Sequence, residues 1–180
     1  IVAIGSQDRE YVEEILDTPE EAVARLDAAL ERHGEKDRVT TIPGPDQLFS
    51  NGPEMMTAQK AWAREHGTLL HCHSSEELNM TARFKETYGM TPVEYAHGLG
   101  ILDEDTVLAH QVHTTEHDLE LLQQTGTRIV HNPLANTILG SGMPPVVEML
   151  ERGIPVAIST DGSGSADNQN ILAAARLASQ

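Results

Sequence analysis

Four short apolar runs each end on a side chain that can bind a metal or move a proton. They are LLHCHSSEE, with His71, His73 and Glu76; VLAHQVH, with His110 and His113; RIVHNP, with His131; and PVAISTDGSGS, with Asp161. Each run has the length of a strand, and each polar group sits where the strand gives out. Neutral imidazole is the commonest metal ligand, and a nearby carboxylate can accept and return protons. Such groups converging on one mouth would hold a cation and activate a water.

His71 and His73 are two residues apart on a strand and so share a face, with Cys72 turned away. Glu76 follows within a turn of the second histidine. His110 ends the next strand as the second inward group, and His113 falls in the loop behind it, near where substrate would lie. Asp161 precedes Gly162-Ser163-Gly164-Ser165, a loop whose glycines let backbone approach a ligand closely. An Asp-Gly pair also serves ordinary turns, and a lone strand histidine commonly just lines a barrel. Four strand ends carrying such groups together favour a site. The sequence has no G-x-S-x-G, H-E-x-x-H or phosphate-cradling glycine loop, which removes the serine-nucleophile, zincin-helix and P-loop chemistries.

The elements that must position these groups alternate in period. Strands are expected at 2–4, 39–42, 68–73, Thr106–His110, Arg128–His131 and 154–159. Helices are expected at 8–16, Pro19–His33, 53–66, 76–88, 115–125, 144–152 and 168–178, with RIVHNPLANTILGSG running from its strand into a loop. Thr18-Pro19 with Glu21 reads as a capping box. Gly34, Gly67, Gly126 and Gly153 fall just past helical stretches, where a left-handed residue is wanted. Strand-then-helix repetition predicts a parallel sheet. The lack of a Gly-rich phosphate loop after the first strand favours a closed barrel over an open doubly wound sheet. Six strand–helix units stand where a closed barrel needs eight. The expected architecture over residues 1–180 is therefore a partial (β/α)8 TIM barrel, about strands three to eight. Its two open edges would be covered by a longer protein or by association as a homo-oligomer.

The chain has 12 Lys+Arg against 28 Asp+Glu, a formal charge of -16. So few cations cannot displace counterions from a phosphate backbone, which argues against nucleic acid and against an anionic membrane surface as partners. No apolar run is long enough to span a bilayer, and the opening residues do not read as a signal peptide. One cysteine, Cys72, excludes an internal disulfide framework and fits a reducing, cytoplasmic setting.

Over roughly residues 35–170, the ordered blocks LLHCHSSEE, GMTPVEY, VLAHQVH, VHNPLANTILGSGMPPV and ISTDGSGS resemble the amidohydrolase superfamily. The similarity is to its branch of purine, pyrimidine and S-adenosylhomocysteine-type deaminases and s-triazine chlorohydrolases. The resemblance implies that His73 is the metal-binding histidine after the fifth barrel strand. It implies that Glu76 carries a proton between the attacking water and the leaving nitrogen. His110 would polarise substrate or water, and Asp161 would bind the metal and act as base. Asn132 and Asn136, with His71 and His113, would lie near the substrate. Two first-strand ligands, an H-x-H pair, and a small β-sandwich belong to this family and are not found in these residues. His71-Cys72-His73 is not that pair, since His-x-x-Glu follows it and His110 ends the next strand. The candidate fourth strand carries no lysine, and Lys60 and Lys85 fall on helices, so one divalent metal is expected, zinc before iron. The implied activity is hydrolytic deamination of a purine, pyrimidine or related small heterocycle. The alternatives are s-triazine chlorohydrolase or aminohydrolase chemistry, and a barrel portion that is catalytically incomplete by itself.

Overall fold

In the computed structural model, which describes residues 1–34 and 38–180, β1 (Val2–Ser6) pairs in parallel with β2 (Thr41–Pro45). A second parallel ladder takes β3 (Leu70–Ser74), β4 (Thr106–His110), β5 (Arg128–His131) and β6 (Val156–Ile158) in chain order. A bridge between Gln47 and His73 joins the two ladders, with the His73 N–H donating to the Asp46 carbonyl at 3.0 Å. The result is one arc of a parallel barrel, with β1 and β6 at its ends.

Helices follow the strands: α1 (Pro19–His33), α2 (Pro53–Glu65), α3 (Leu78–Tyr88), α4 (Pro92–Gly98), α5 (Glu116–Thr125), α6 (Pro133–Leu139), α7 (Val146–Glu151), α8 (Ser163–Ala166) and α9 (Ile171–Ala178). Reciprocal capping boxes start three of them, from Thr18 to Glu21, Thr91 to Glu94 and Thr115 to Asp118. Each box satisfies backbone donors that have no partner inside the helix. Gly126 ends α5 at φ 68, a conformation that costs L-residues sterically.

Strand alternation builds the core. Leu70, Cys72, Leu108 and Ile129 turn outward and pack with Phe84, Leu119, Leu122 and Met149. Burial pushes the Cys72 thiol up to about 12, so it is an inert packed side chain. Leu108 is completely buried on β4. Leu108→Ala is expected to lower stability by about 2–5 kcal/mol through lost transfer energy and a cavity, read from urea-unfolding midpoints. Among the described residues, no helix is long and apolar enough to cross a membrane.

Several local expectations change. Segment 8–16 is not a helix and holds only a 3-10 turn at Glu13–Ile15. Its apolar residues Tyr11, Val12 and Ile15 are exposed, so a helix there would have no surface to bury. Asp8 instead accepts a forked hydrogen bond from the Gly52 N–H, which lies 2.9 and 3.0 Å from its two carboxylate oxygens, tying this loop to the start of α2. β2 lies two to three residues later than expected, because Gly44 and Pro45 continue the ladder opposite Gly5 and Ser6. The Asn132–Gly140 stretch, expected as loop, contains α6, with Pro133 at its first turn. GMTPVEY supplies α4, which periodicity missed because the helix is only seven residues long. The loop after Asp161 holds the single turn α8, and Gly34 is right-handed at φ -63.

Candidate active site

The acid–base groups gather at the carboxyl ends of the strands, where a parallel barrel opens. His71 and His73 face a cavity of about 270 Å³ lined also by Gly5, Gly44 and Asp46. The His73 ring lies 6.4 Å from that of His71 and 5.4 Å, nearly parallel, from that of His110. His73 Nδ1 donates to the Asp46 carbonyl at 2.5 Å, which leaves Nε2 with its lone pair.

His110 reaches this place through its backbone. Register puts His73 opposite Ala109 and Ser74 opposite His110, so simple alternation would send His110 outward beside Leu108. Left-handed conformations at His110 (φ 75) and Gln111 (φ 51) break the alternation and bring the ring against His73. Ser75 (φ 52) and Asp161 (φ 65) are left-handed as well. Four non-glycine residues held this way at the ends of three strands mark a region whose backbone geometry is set by the surrounding packing.

His110 is fully buried, and its Nε2 stands between two carboxylates, 3.6 Å from Glu76 Oε2 and 3.7 Å from Asp161 Oδ2. Its Nδ1 meets Asn136 Oδ1 at 2.8 Å, and Asn132 Nδ2 lies 3.4 Å from Nε2. Asn132, just before α6, and Asn136, one turn further on, are both buried against the imidazole. His113 sits in the following loop, its N–H donating to the Ser75 carbonyl at 2.9 Å, and its Nε2 has no partner among the described residues. The structure thus brings together His73, Glu76, His110 and Asp161, with His71 one ring further in. Asp46 was not singled out from sequence, although Gly44-Pro45-Asp46 ends a strand as the other site motifs do. Lys60 is buried on α2 against Asp103 and Thr106, outside this cluster.

The donors fit a divalent metal in part. The Nε2 of His73 and a carboxylate oxygen of Asp161 are ligand types that zinc takes. Among the described residues, no group of three His, Cys, Asp or Glu side chains is arranged to hold a metal ion.

Burial holds the imidazoles of His71, His110 and His131 below the ordinary histidine value of 6.5, with neighbouring histidines adding to the effect. Burial raises the Glu76 carboxyl. The histidine effects have one sign: the folded state binds fewer protons than the unfolded one between the lowered values and 6.5. Stability is therefore expected to fall as pH drops below 6.5. The raised Glu76 works the other way in the carboxylate range. Urea midpoints measured at neutral pH and at mildly acidic pH should show the loss, and His110→Asn should reduce it.

A parallel α/β barrel arc with imidazoles and carboxylates at its carboxyl ends has the layout in which barrel enzymes place their reacting groups. The match to the Amidohydrolase family covers residues 3–180, and the chain belongs to that family. It is 36% identical over 163 residues to a 5-methylthioadenosine/S-adenosylhomocysteine deaminase of Aquifex aeolicus, covering 91% of this chain and 38% of that protein. A zinc-bound adenosine deaminase from Xanthomonas campestris shares the fold with a TM-score of 0.91 at 21% identity, over 99% of this chain and 40% of that one. The zinc complex of an atrazine chlorohydrolase from Arthrobacter aurescens superposes with a TM-score of 0.90 at 25% identity, over 97% and 40%. The chain thus spans about two-fifths of the length of these relatives.

Proposed function

We propose that the protein containing this barrel hydrolytically deaminates a purine nucleoside of the 5′-substituted adenosine type. The observation that carries the reading is the pair of carboxylates, Glu76 and Asp161, flanking the buried His110 Nε2 at 3.6 and 3.7 Å. A bound divalent metal, zinc before iron, would polarise water and lower its pKa toward neutrality. His73 and Asp161 would hold it, with further ligands from beyond these residues. Asp161 takes a proton as water oxygen adds to the ring carbon. Glu76, its carboxyl raised by burial, carries a proton to the amino nitrogen, which leaves as ammonia. His110 faces the charge that develops between them.

The Aquifex relative's named substrates support the nucleoside class, and the fold shared with the adenosine deaminase agrees with it. The test is a substrate panel on the full-length protein, with ammonia release expected from 5′-substituted adenosines. Chloride or alkylamine release from s-triazines, with no ammonia from nucleosides, would instead support the second reading, which the likeness to the atrazine chlorohydrolase favours. The 180-residue chain alone is expected to bind metal weakly, since affinity depends on ligand number and geometry. Stoichiometric, chelator-sensitive metal in that chain would contradict this.

A further inference from the structure

We propose that Asn136 is a positioning residue that holds His110 as its Nδ1–H tautomer, so that Nε2 faces Glu76 and Asp161 as an acceptor. The geometry begins with α6. Asn132 caps this helix and Asn136 lies one turn on, the Asn136 N–H donating to the Asn132 carbonyl at 3.0 Å. Residues four apart share a helix face, so both amides meet the same imidazole, one at each nitrogen. Asn136 Oδ1 accepts from Nδ1–H at 2.8 Å, and Asn132 Nδ2 donates toward Nε2 at 3.4 Å. All three side chains are buried, His110 and Asn136 completely. Solvent therefore cannot substitute for a lost partner.

The consequence lies on the other side of the ring. Nε2, Glu76 Oε2 and Asp161 Oδ2 are then three acceptors around one small space, at 3.6 and 3.7 Å from the nitrogen. Among the described residues the donor facing Nε2 is Asn132 Nδ2, at 3.4 Å, and beside the two carboxylates the space favours a guest that brings protons or positive charge. A water about to attack has two protons to give, and such a space can take both. Had Nε2 carried hydrogen, it would occupy a carboxylate lone pair and point a donor where an acceptor is wanted. Asn136 Nδ2 and Asn132 Oδ1 have no partners among the described residues. Turning both amides over would therefore produce the opposite tautomer, and this is the competing arrangement.

The catalytic meaning of this role rests on the hydrolytic reading above, whereas the tautomer is a property of the protein alone. The test is a long-range proton–nitrogen spectrum of full-length, zinc-loaded protein carrying ¹⁵N-histidine, with His110 assigned from the peak lost in His110→Gln. The expected result is a hydrogen-bearing Nδ1 and a hydrogen-free Nε2. Asn136→Leu should shift His110 toward the Nε2–H form and lower kcat about 10–100-fold, the range seen on loss of such supporting partners, with KM little changed. Asn136→Asp, whose carboxylate only accepts, should retain the Nδ1–H form and recover more of kcat than the leucine variant. An Nε2–H form in the unsubstituted protein would overturn the proposal, as would an unchanged tautomer in Asn136→Leu. If the leucine variant does not fold, the unsubstituted spectrum still decides. A protein in the Nδ1–H form that deaminates nothing would count against the reaction and not against the tautomer.

Discussion

Glu76→Gln is expected to lower kcat for ammonia release by about 10²–10⁴-fold, the usual worth of a placed general acid–base group, while KM stays close to that of the unsubstituted enzyme. Glutamine keeps the size of the side chain and its capacity to accept a hydrogen bond, but it cannot carry a proton from water to nitrogen. The Glu76 side chain is only 11% exposed and lies 3.6 Å from His110 Nε2. Burial favours its neutral form, which suits a group that must hold a transferred proton and then release it. Steady-state kinetics on the full-length protein, with thermal melts to confirm the fold, check the effect. Turnover within a few-fold of the original would remove Glu76 from the reaction.

Asp161→Asn is expected to cost both metal and turnover. Asp161 stands at φ 65, and its Oδ1 accepts from the Gly162 N–H at 2.6 Å. Asparagine tolerates the left-handed region about as well as aspartate and keeps that hydrogen bond, so the loop should hold. What is lost is the charge 3.7 Å from His110 Nε2. Metal content by elemental analysis is expected to fall well below one ion per chain, and kcat by about 10²–10⁴-fold. Asp161→Ala should add a stability loss of about 1–2 kcal/mol, because alanine pays for the left-handed backbone. Full metal content with full turnover in the asparagine variant would show that Asp161 is neither ligand nor base.

Much of this molecule could be read along the chain. β4 and β5 and helix α1 fall at their expected boundaries, since alternation, a capping box and flanking glycines mark them locally. Segment 8–16 shows where such reading fails. Its pattern is amphipathic, yet no surface lies beside it to bury the apolar stripe, and Asp8 is drawn to Gly52. Propensity is a weak prior that tertiary context overrides. α4 and α6 were missed for the opposite reason: they are short helices whose Thr-Pro and Asn-Pro starts carry more information than their period.

The site divides in the same way. That histidines and carboxylates stand at the ends of apolar strands is written in residue order, because strand length and period need only near neighbours. Whether they meet is not. His110 would face outward by alternation, and it turns inward because it, as the last residue of β4, and Gln111 after it are held at positive φ. Which of its nitrogens meets Asn136, and which meets Glu76 and Asp161, depends on segments the barrel brings together from far apart in the chain. Residue types and their order thus come from local chemistry, while ring orientation and hydrogen-bond partner come from closure of the arc, since each needs atoms that no neighbouring residue supplies.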